Sequence, residues 1–456
     1  MVGLFIMTII HIGFDDIDSP FGGCTTDFVS KLVIKWHRRS YLDFIDYPNL
    51  IRLCPGVPWK TRGNGAVVLR LKVKDTDMGF KLFEEAVSNA YDYISYFKHP
   101  ESSPAIALYI GEVSDKIKWL GWKAVWDIIP LDLIQRIIDR LGDRVRIKHL
   151  GSTKRGVIGA LASIGNTLSD TDYTYELIVY RRQEYWSTPR KIDHNSIKEM
   201  DRLTRGDTFL NYDYETDKPL ITPHGPDPVL LGIRGETPKA LIKALNILQI
   251  NEPIERWIIY RTNQGTDAHL RKITSLNEAY IYTGVIFQGR VSKPPKRITG
   301  GHVIFSITDG TKEIDVAAYE PTGGFRDIVE KLWINDLVEV YGVVRPPSSK
   351  HGKTINLEKL RVIQLAPKIV YEAPKCPKCG KRMKSMGKGK GYKCPRCKYR
   401  DPFASKIPKE VPREISIGWY QPPPRSFKHL MKPLERFGKE KKHPPKTLHI
   451  PWCYPC

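Results

Sequence analysis

The residues best suited to chemistry stand near the N-terminus, in His11-Ile12-Gly13-Phe14-Asp15-Asp16-Ile17-Asp18-Ser19-Pro20-Phe21-Gly22-Gly23-Cys24-Thr25-Thr26. An apolar run releases Asp15, Asp16 and Asp18 into a glycine turn. Hard Mg²⁺ takes carboxylate oxygens together with phosphate oxygens, and a helix N-terminus offers phosphate free N–H groups and a positive dipole end. Cys24-Thr25-Thr26 opens such a helix, its apolar side marked by Phe28, Leu32 and Trp36. The segment carries both halves of an ATP·Mg²⁺ site, with Gly22 and Gly23 freeing the backbone to approach phosphate. Clustered Asp, Ser and Thr also build turns and cap helices; the adjacent Gly-Gly-Cys-Thr-Thr favours the site.

Two basic, glycine-containing segments could serve the same anion. Lys60-Thr61-Arg62-Gly63-Asn64-Gly65 precedes a strand, and Arg62 can fork onto phosphate, although Asn-Gly by itself makes a plain hairpin turn. Lys154-Arg155-Gly156-Val157-Ile158-Gly159 opens a helix, where its small residues equally permit close packing on a sheet. Glu176, Asp227, Glu236 and Asp267 fall near strand ends. Any of them can bind a cationic substrate, and each alone is more simply a surface charge.

The sharpest local pattern is Cys376-Pro-Lys-Cys379 with Cys394-Pro-Arg-Cys397. Two such knuckles supply the four thiolates of a tetrahedral Zn²⁺ and leave no open position, so the role is structural. Cys453 and Cys456 form one more Cys-x-x-Cys without a partner pair. The spacing favours metal binding in a reducing compartment over a disulfide framework, and the chain reads as cytoplasmic.

The elements that must position these groups change character along the chain. Residues 1–142 alternate buried strands (Phe5 to Phe14, Val67 to Leu71, Ile106 to Ile110) with amphipathic helices (Phe80 to Ile94, Leu131 to Leu141), which is α/β behaviour. Residues 143–275 read as strand, helix, strand, strand, helix, strand, the ferredoxin-like order, with a polar insertion between the second and third strands. Residues 276–368 read as five strands with a helix near Phe325 after the third, the order of an OB-fold barrel. Tyr319, Phe325, Arg326 and Arg345 suit contacts to oligonucleotide, with Phe325 more simply a core residue. Residues 369–404 form the zinc ribbon, and 405–456 a basic tail expected to be extended and RNA-seeking.

The 456 residues carry a net charge of +22 and a pI near 9.5, and the stretch from Lys375 to Lys446 holds most of that excess. Such a bias points to an anionic polymer as partner. No window approaches the ~20 apolar residues that span a bilayer, so no membrane partner is expected.

Asp15-Asp16-Ile17-Asp18-Ser19 with Gly23-Cys24-Thr25-Thr26, then Lys60 to Ala66, Arg155 to Leu161, Gly232-Ile233-Arg234-Gly235-Glu236 and Thr262-Asn263-Gln264-Gly265-Thr266-Asp267, occur in the order that resembles the archaeal tRNA agmatinylcytidine synthetase family. The resemblance implies a kinase-like ATP-binding domain, a ferredoxin-like agmatine-binding domain, and OB-fold and zinc-ribbon domains that hold tRNA. It implies an ATP-dependent ligase that activates C2 of the wobble cytidine in a CAU-anticodon isoleucine tRNA by phosphorylation. Agmatine then replaces the activated oxygen, giving 2-agmatinylcytidine, with AMP and phosphate as by-products. Carried over by position, Mg²⁺ falls to Asp15, Asp16 and Asp18, and autophosphorylation to Thr25. Cofactor contacts are expected from Gly22, Gly23, Lys60, Arg62, Asn64, Arg155 and Gly156. Two rivals stand beside this: an Asp-dependent phosphohydrolase, and a non-enzymatic OB/zinc-ribbon nucleic-acid binder.

Overall fold

The structure is a computed structural model describing residues 7–97, 102–223, 225–348 and 351–456. Strand β1 (Thr8–Asp15) follows from the apolar run, although Phe5 and Ile6 of the expected strand lie outside the described residues. Its Ile10, Ile12 and Phe14 are fully buried. After it come α1 (Thr25–His37), β2 (Leu42–Phe44), β3 (Asn49–Arg52), β4 (Gly65–Val73), α2 (Thr76–Phe97), β5 (Ala105–Ile110), α3 (Asp115–Trp126), α4 (Leu131–Leu141) and β6 (Val145–His149). The next stretch holds α5 (Gly156–Gly165), β7 (Thr174–Arg181), α6 (His194–Leu203), β8 (Thr208–Phe209), β9 (Tyr212–Asp213), β10 (Lys218–Pro219), β11 (Val229–Gly235), α7 (Pro238–Ile247) and β12 (Ile254–Thr262).

These two α/β stretches share one sheet. Its order is β6-β5-β1-β4-β3-β12-β7-β11-β8, with β2 beside β4, and the halves meet where β3 runs parallel to β12, Asn49 opposite Arg261. The expected chain order from β6 to β12 is present, but β6 joins β5 at the far edge instead of the central place between β11 and β12 that a ferredoxin-like sheet gives its first strand. The burial of β6 explains this. Only Val145 is buried while Arg146, Lys148 and His149 are exposed, which suits an edge and not the middle of a sheet. Helix α5 likewise packs on β1, β4 and β5. A Cβ at Gly13 would lie 2.1 Å from the Ala160 carbonyl, so glycine is what lets α5 approach β1 this closely.

The barrel is as expected. After β13 (Leu270–Ile273), strands β14 (Gly284–Arg297), β15 (Val303–Thr308), β16 (Glu313–Ala318), then α8 (Phe325–Val329), β17 (Leu337–Arg345) and β18 (Thr354–Gln364) close in the order β14-β15-β16-β18-β17, with β17 returning to β14. Phe287, Phe305 and Phe325 fill its core, so Phe325 is no stacking platform.

The ribbon is carried on paired β19 (Lys368–Glu372) and β23 (Ile407–Val411), and consists of β20 (Lys384–Ser385), β21 (Tyr392–Lys393) and β22 (Arg400–Asp401). The tail differs from expectation. Strand β24 (Gly418–Tyr420) adds to β18, and β25 (Cys453–Tyr454) adds to β12 on the edge that β3 leaves open. Between them Met431, Arg436 and Trp452 are buried. Arg436 is held by Asp172, Glu236 and the Gly265 carbonyl, Lys441 by Glu236, and Lys428 by Glu358. Much of the tail's basic charge is thus spent on internal carboxylates, which anchor it across the molecule. Cys453 and Cys456 form a disulfide.

Candidate functional site

Strand β1 ends at Asp15, and the chain turns sharply at Asp16, whose φ of 59° lies in the left-handed region. Asp16 is fixed there by the Thr61 hydroxyl and by the Ser103 backbone N–H, which donates at 2.5 Å. The Asp15 carboxylate lies against the first turn of α5: a Cβ on Gly159 would come within 2.0 Å of its Oδ2. Asp18 Oδ2 accepts the Thr25 hydroxyl at 2.8 Å, and that hydroxyl accepts the Ile17 N–H at 3.1 Å. Thr25 thus opens α1 with its oxygen already bonded to a carboxylate.

Burial and the neighbouring Asp16 and Asp18 carboxylates push Asp15 well above the usual carboxylate range. Burial likewise raises Asp18 to about 6, against the pull of Arg62 and the Thr25 hydroxyl. Crowded, buried carboxylates of this kind call for a cation. Among the described residues the three do not converge as a closed ligand cage. They line one cavity, and Mg²⁺ bound to a nucleotide uses one or two carboxylates with phosphate oxygens and water, so the residues fit that ion.

The cavity measures about 610 Å³. Asp15, Asp16, Asp18, Lys60, Asn64, Arg155 and Gly156 line its polar end, and Leu53, Trp59, Ala124, Ile128, Ile129 and Leu131 its apolar wall. Among the described residues no side chain caps the start of α5, and its Val157 and Ile158 N–H groups bond to the Lys154 and Arg155 carbonyls at 3.1 and 3.0 Å, so Gly156, Arg155 and Lys60 are what this end of the cavity offers an anion. A flat base suits the apolar wall, and phosphates suit that end.

Other expected residues fall elsewhere. Gly22 and Gly23, at φ of 114° and 77°, turn the chain beneath Phe97, where a Cβ on Gly23 would come 2.7 Å from the ring; neither lines the cavity. Arg62 does not line the cavity; it donates to Asp227 at 2.8 Å and to the Ser19 carbonyl at 2.6 Å, with Asp18 Oδ1 4.0 Å away. Glu236 is taken by Arg436 and Lys441, and Asp267 by Lys359 and the Lys432 N–H, so neither carboxylate is free for a ligand cation. Glu176 takes the Gln264 amide and Arg234. Asp227 keeps a buried Oδ1 without a donor.

Two features escaped the sequence. The apolar wall comes from residues 124–131, which carry no motif. His429, from the tail, donates Nδ1–H to Gln264 Oε1 at 2.8 Å beside Arg52 and Arg234; burial and those two guanidiniums hold its pKa well below the usual histidine range. Only proximity in the fold reveals it.

The four ribbon cysteines bring their sulfurs within 4.8 Å of one another, with Cys376–Cys397 and Cys379–Cys394 at 3.5 Å. Tetrahedral zinc at ~2.3 Å from each sulfur spaces them about 3.8 Å apart, so the set fits Zn²⁺.

A nucleotide-shaped cavity at a helix tip, docked on an OB barrel and a four-thiolate ribbon, defines a nucleotide-using enzyme of the RNA-processing class. Family models match in the same order: the TiaS TCKD domain over residues 11–147, the TiaS FLD domain over 154–269, an OB-fold nucleic acid binding domain over 285–363 and the TiaS C-terminal zinc ribbon domain over 373–415. TiaS of Staphylothermus marinus, a 2-agmatinylcytidine synthetase of isoleucine tRNA, is 60% identical over 442 residues, 97% of this chain and 96% of that one. That of Methanocaldococcus jannaschii is 39% identical over 434 residues, 94% and 99% of the two chains. Among solved structures, a complex of TiaS with isoleucine tRNA and ATP superposes with a TM-score of 0.81 at 36% identity, covering 94% of this chain and 97% of that one. A complex of TiaS with the same tRNA, AMPCPP and agmatine gives 0.78 at 34%, with the same coverage. The chain belongs to the TiaS family of isoleucine tRNA 2-agmatinylcytidine synthetases.

Proposed function

We propose that this protein conjugates agmatine to C2 of the wobble cytidine of a CAU-anticodon isoleucine tRNA, using ATP and releasing AMP and phosphate. The observation that carries the reading is the cavity that joins Asp15, Asp16 and Asp18 to Arg155 and Gly156 at the start of α5 in a chain with these relatives. The C2 oxygen of cytidine is urea-like and leaves poorly. Phosphorylating it makes the C2–O bond breakable: the agmatine amine forms the new C–N bond, one phosphate departs with the oxygen, and the amine proton passes to solvent or base. The other phosphoryl group of ATP is transferred to water, so that AMP and two phosphates result.

Asp15, Asp16 and Asp18 would hold Mg²⁺, which supplies charge neutralisation to the transferring phosphoryl group. Lys60 and Arg155 act on the phosphates, and Asn64 lines the same cavity. Thr25, bonded to Asp18, is the hydroxyl we assign to autophosphorylation. For the agmatine guanidinium, Asp227 is the remaining carboxylate with an unfilled buried oxygen. The OB barrel and Zn²⁺-bearing ribbon hold the tRNA. The first half of the sheet is read as kinase-like and the β7–β11–α7–β12 unit as the ferredoxin-like part.

No described helix is long and apolar enough to cross a membrane, and a cytoplasmic setting accords with the substrates. Incubation with ATP, labelled agmatine and tRNA transcripts tests the assignment. Label must enter the CAU isoleucine tRNA in an ATP-dependent manner. Phosphate release without incorporation makes the protein a phosphohydrolase, and tRNA binding without either makes it a binder alone.

A further inference from the structure

Arg52, at the end of β3, is a half-buried cation that feels the Glu176 carboxylate and the repelling Arg234 guanidinium. Asn263 clamps its backbone from both sides, accepting its N–H at 2.8 Å and donating to its carbonyl at 2.9 Å. Its guanidinium, by contrast, has no hydrogen-bond or ion-pair partner among the described residues, and its Nε is shut off from solvent. It reaches over Gly63 and Gly65: a Cβ on either would lie 2.8 Å from its Nη1, and one on Gly63 also 2.6 Å from His429 Nε2. Arg234 stands beside them, its Nη2 3.4 Å from His429, and one carboxylate, Glu176, serves Arg234 and the Gln264 amide together. A buried guanidinium left bare costs stability unless a ligand supplies the anion.

Position says which anion. Asn64 and Gly65 line the nucleotide cavity on one side of this loop, whereas Arg52, Arg234 and His429 lie on the other and do not line it. Towards the OB barrel, Arg345 at the end of β17 faces the Tyr282 ring with no ion-pair partner among the described residues, and Lys60, which lines the nucleotide cavity, feels both Arg345 and Lys428. The line runs from the OB barrel to the glycine loop. We infer that Arg52, with Arg234, is the seat of one RNA backbone phosphate flanking the nucleotide presented to the cavity, fixed there by the Asn263-Gln264 clamp. The inference rests on the proposed tRNA reaction and adds its positioning site.

The test uses the full-length protein, ATP, agmatine and anticodon stem-loops carrying a single neutral methylphosphonate at each linkage around the target cytidine. In the unmodified protein, one linkage should cost about 10- to 100-fold in KM for RNA, the range expected for a lost charged hydrogen bond. Arg52→Gln should cost as much with ordinary RNA while leaving the KM for ATP unchanged, and Arg52→Lys should recover part. Combining Arg52→Gln with the sensitive linkage should add nothing. The site is refuted if no linkage matters in the unmodified protein, if the two losses add, or if Arg52→Gln raises the KM for ATP instead. Unmodified protein and RNA report the agmatine reaction independently, so failure of the reaction itself would be separately visible.

Discussion

Asp18 lines the cavity, and Thr25, which does not, is hydrogen-bonded to it from the start of α1. The Thr25 hydroxyl lies 2.8 Å from Asp18 Oδ2 and is almost wholly buried, so the hydrogen bond is held in a low-dielectric pocket. Thr25→Val keeps the shape and removes the oxygen. It should abolish phosphate on the 25–37 peptide after ATP incubation, read by mass spectrometry, while shifting Tm by only a few degrees. Phosphate remaining on that peptide would reduce Thr25 to the start of a helix. The Asp-Asp-x-Asp cluster stood out in the sequence because Gly-Gly-Cys-Thr-Thr follows it, clustered aspartates alone being common in turns and caps. The partners of Arg62 were not legible, because Asp227 and the Ser19 carbonyl come to it from distant parts of the chain.

At the scale of elements, α5 is the piece that makes β1 a site, because its first turn meets the Asp15 carboxylate. Gly159→Ala places a methyl where Oδ2 now stands. The carboxylate can swing aside, so the fold should survive, but agmatine incorporation should drop by about 10²-fold, in line with the loss of one aligned catalytic group. An unchanged rate would show that Asp15 needs no contact with α5. The OB strands were readable in advance because each strand alternates and each turn is polar. The pairing of β6 was not, since an edge strand and a central strand can share a short apolar pattern and only the exposed Arg146 and Lys148 told them apart.

A second element-level prediction concerns pH. Glu358 in β18 is buried, which raises its pKa, but Lys428 from the tail and His269 outweigh burial and hold it at about 2. Because the folded value lies below the ordinary 4.5, the carboxylate contributes stability at neutral pH that is lost as pH falls from about 4.5 towards 2. At about 1.4 kcal/mol per unit the contribution is on the order of 3 kcal/mol. Urea unfolding followed across that window should show the loss, and Glu358→Gln should flatten it. An equal slope in the variant would place the acid sensitivity elsewhere.

Across the whole molecule the tail acts as a strap, running from the barrel over the shared sheet and ending as a strand on β12. Its composition reads as an RNA-binding arm, and sequence cannot separate cations bound for phosphate from cations bound for internal carboxylates. Asp172 and Glu236, which claim Arg436, lie roughly 200 or more residues away in the chain. Arg436→Met removes the buried partner of both while Lys441 stays on Glu236 and the Lys441 N–H on Asp172, and should lower stability by about 1–3 kcal/mol, measured by denaturant unfolding. A change under about 1 kcal/mol would mean the strap is held by packing of Met431 and Trp452 alone.

The account stands or falls on whether the cavity at Asp15, Asp16 and Asp18 drives agmatine onto cytidine. The most direct measurement digests CAU isoleucine tRNA after incubation with ATP and agmatine and weighs its nucleosides. With the unmodified protein the wobble cytidine should gain agmatine with loss of its C2 oxygen. With Asp18→Asn the yield should fall by about 10²–10³-fold while tRNA binding persists. Conversion by Asp18→Asn at the unmodified rate, or an unaltered cytidine after incubation with the unmodified protein, would contradict it.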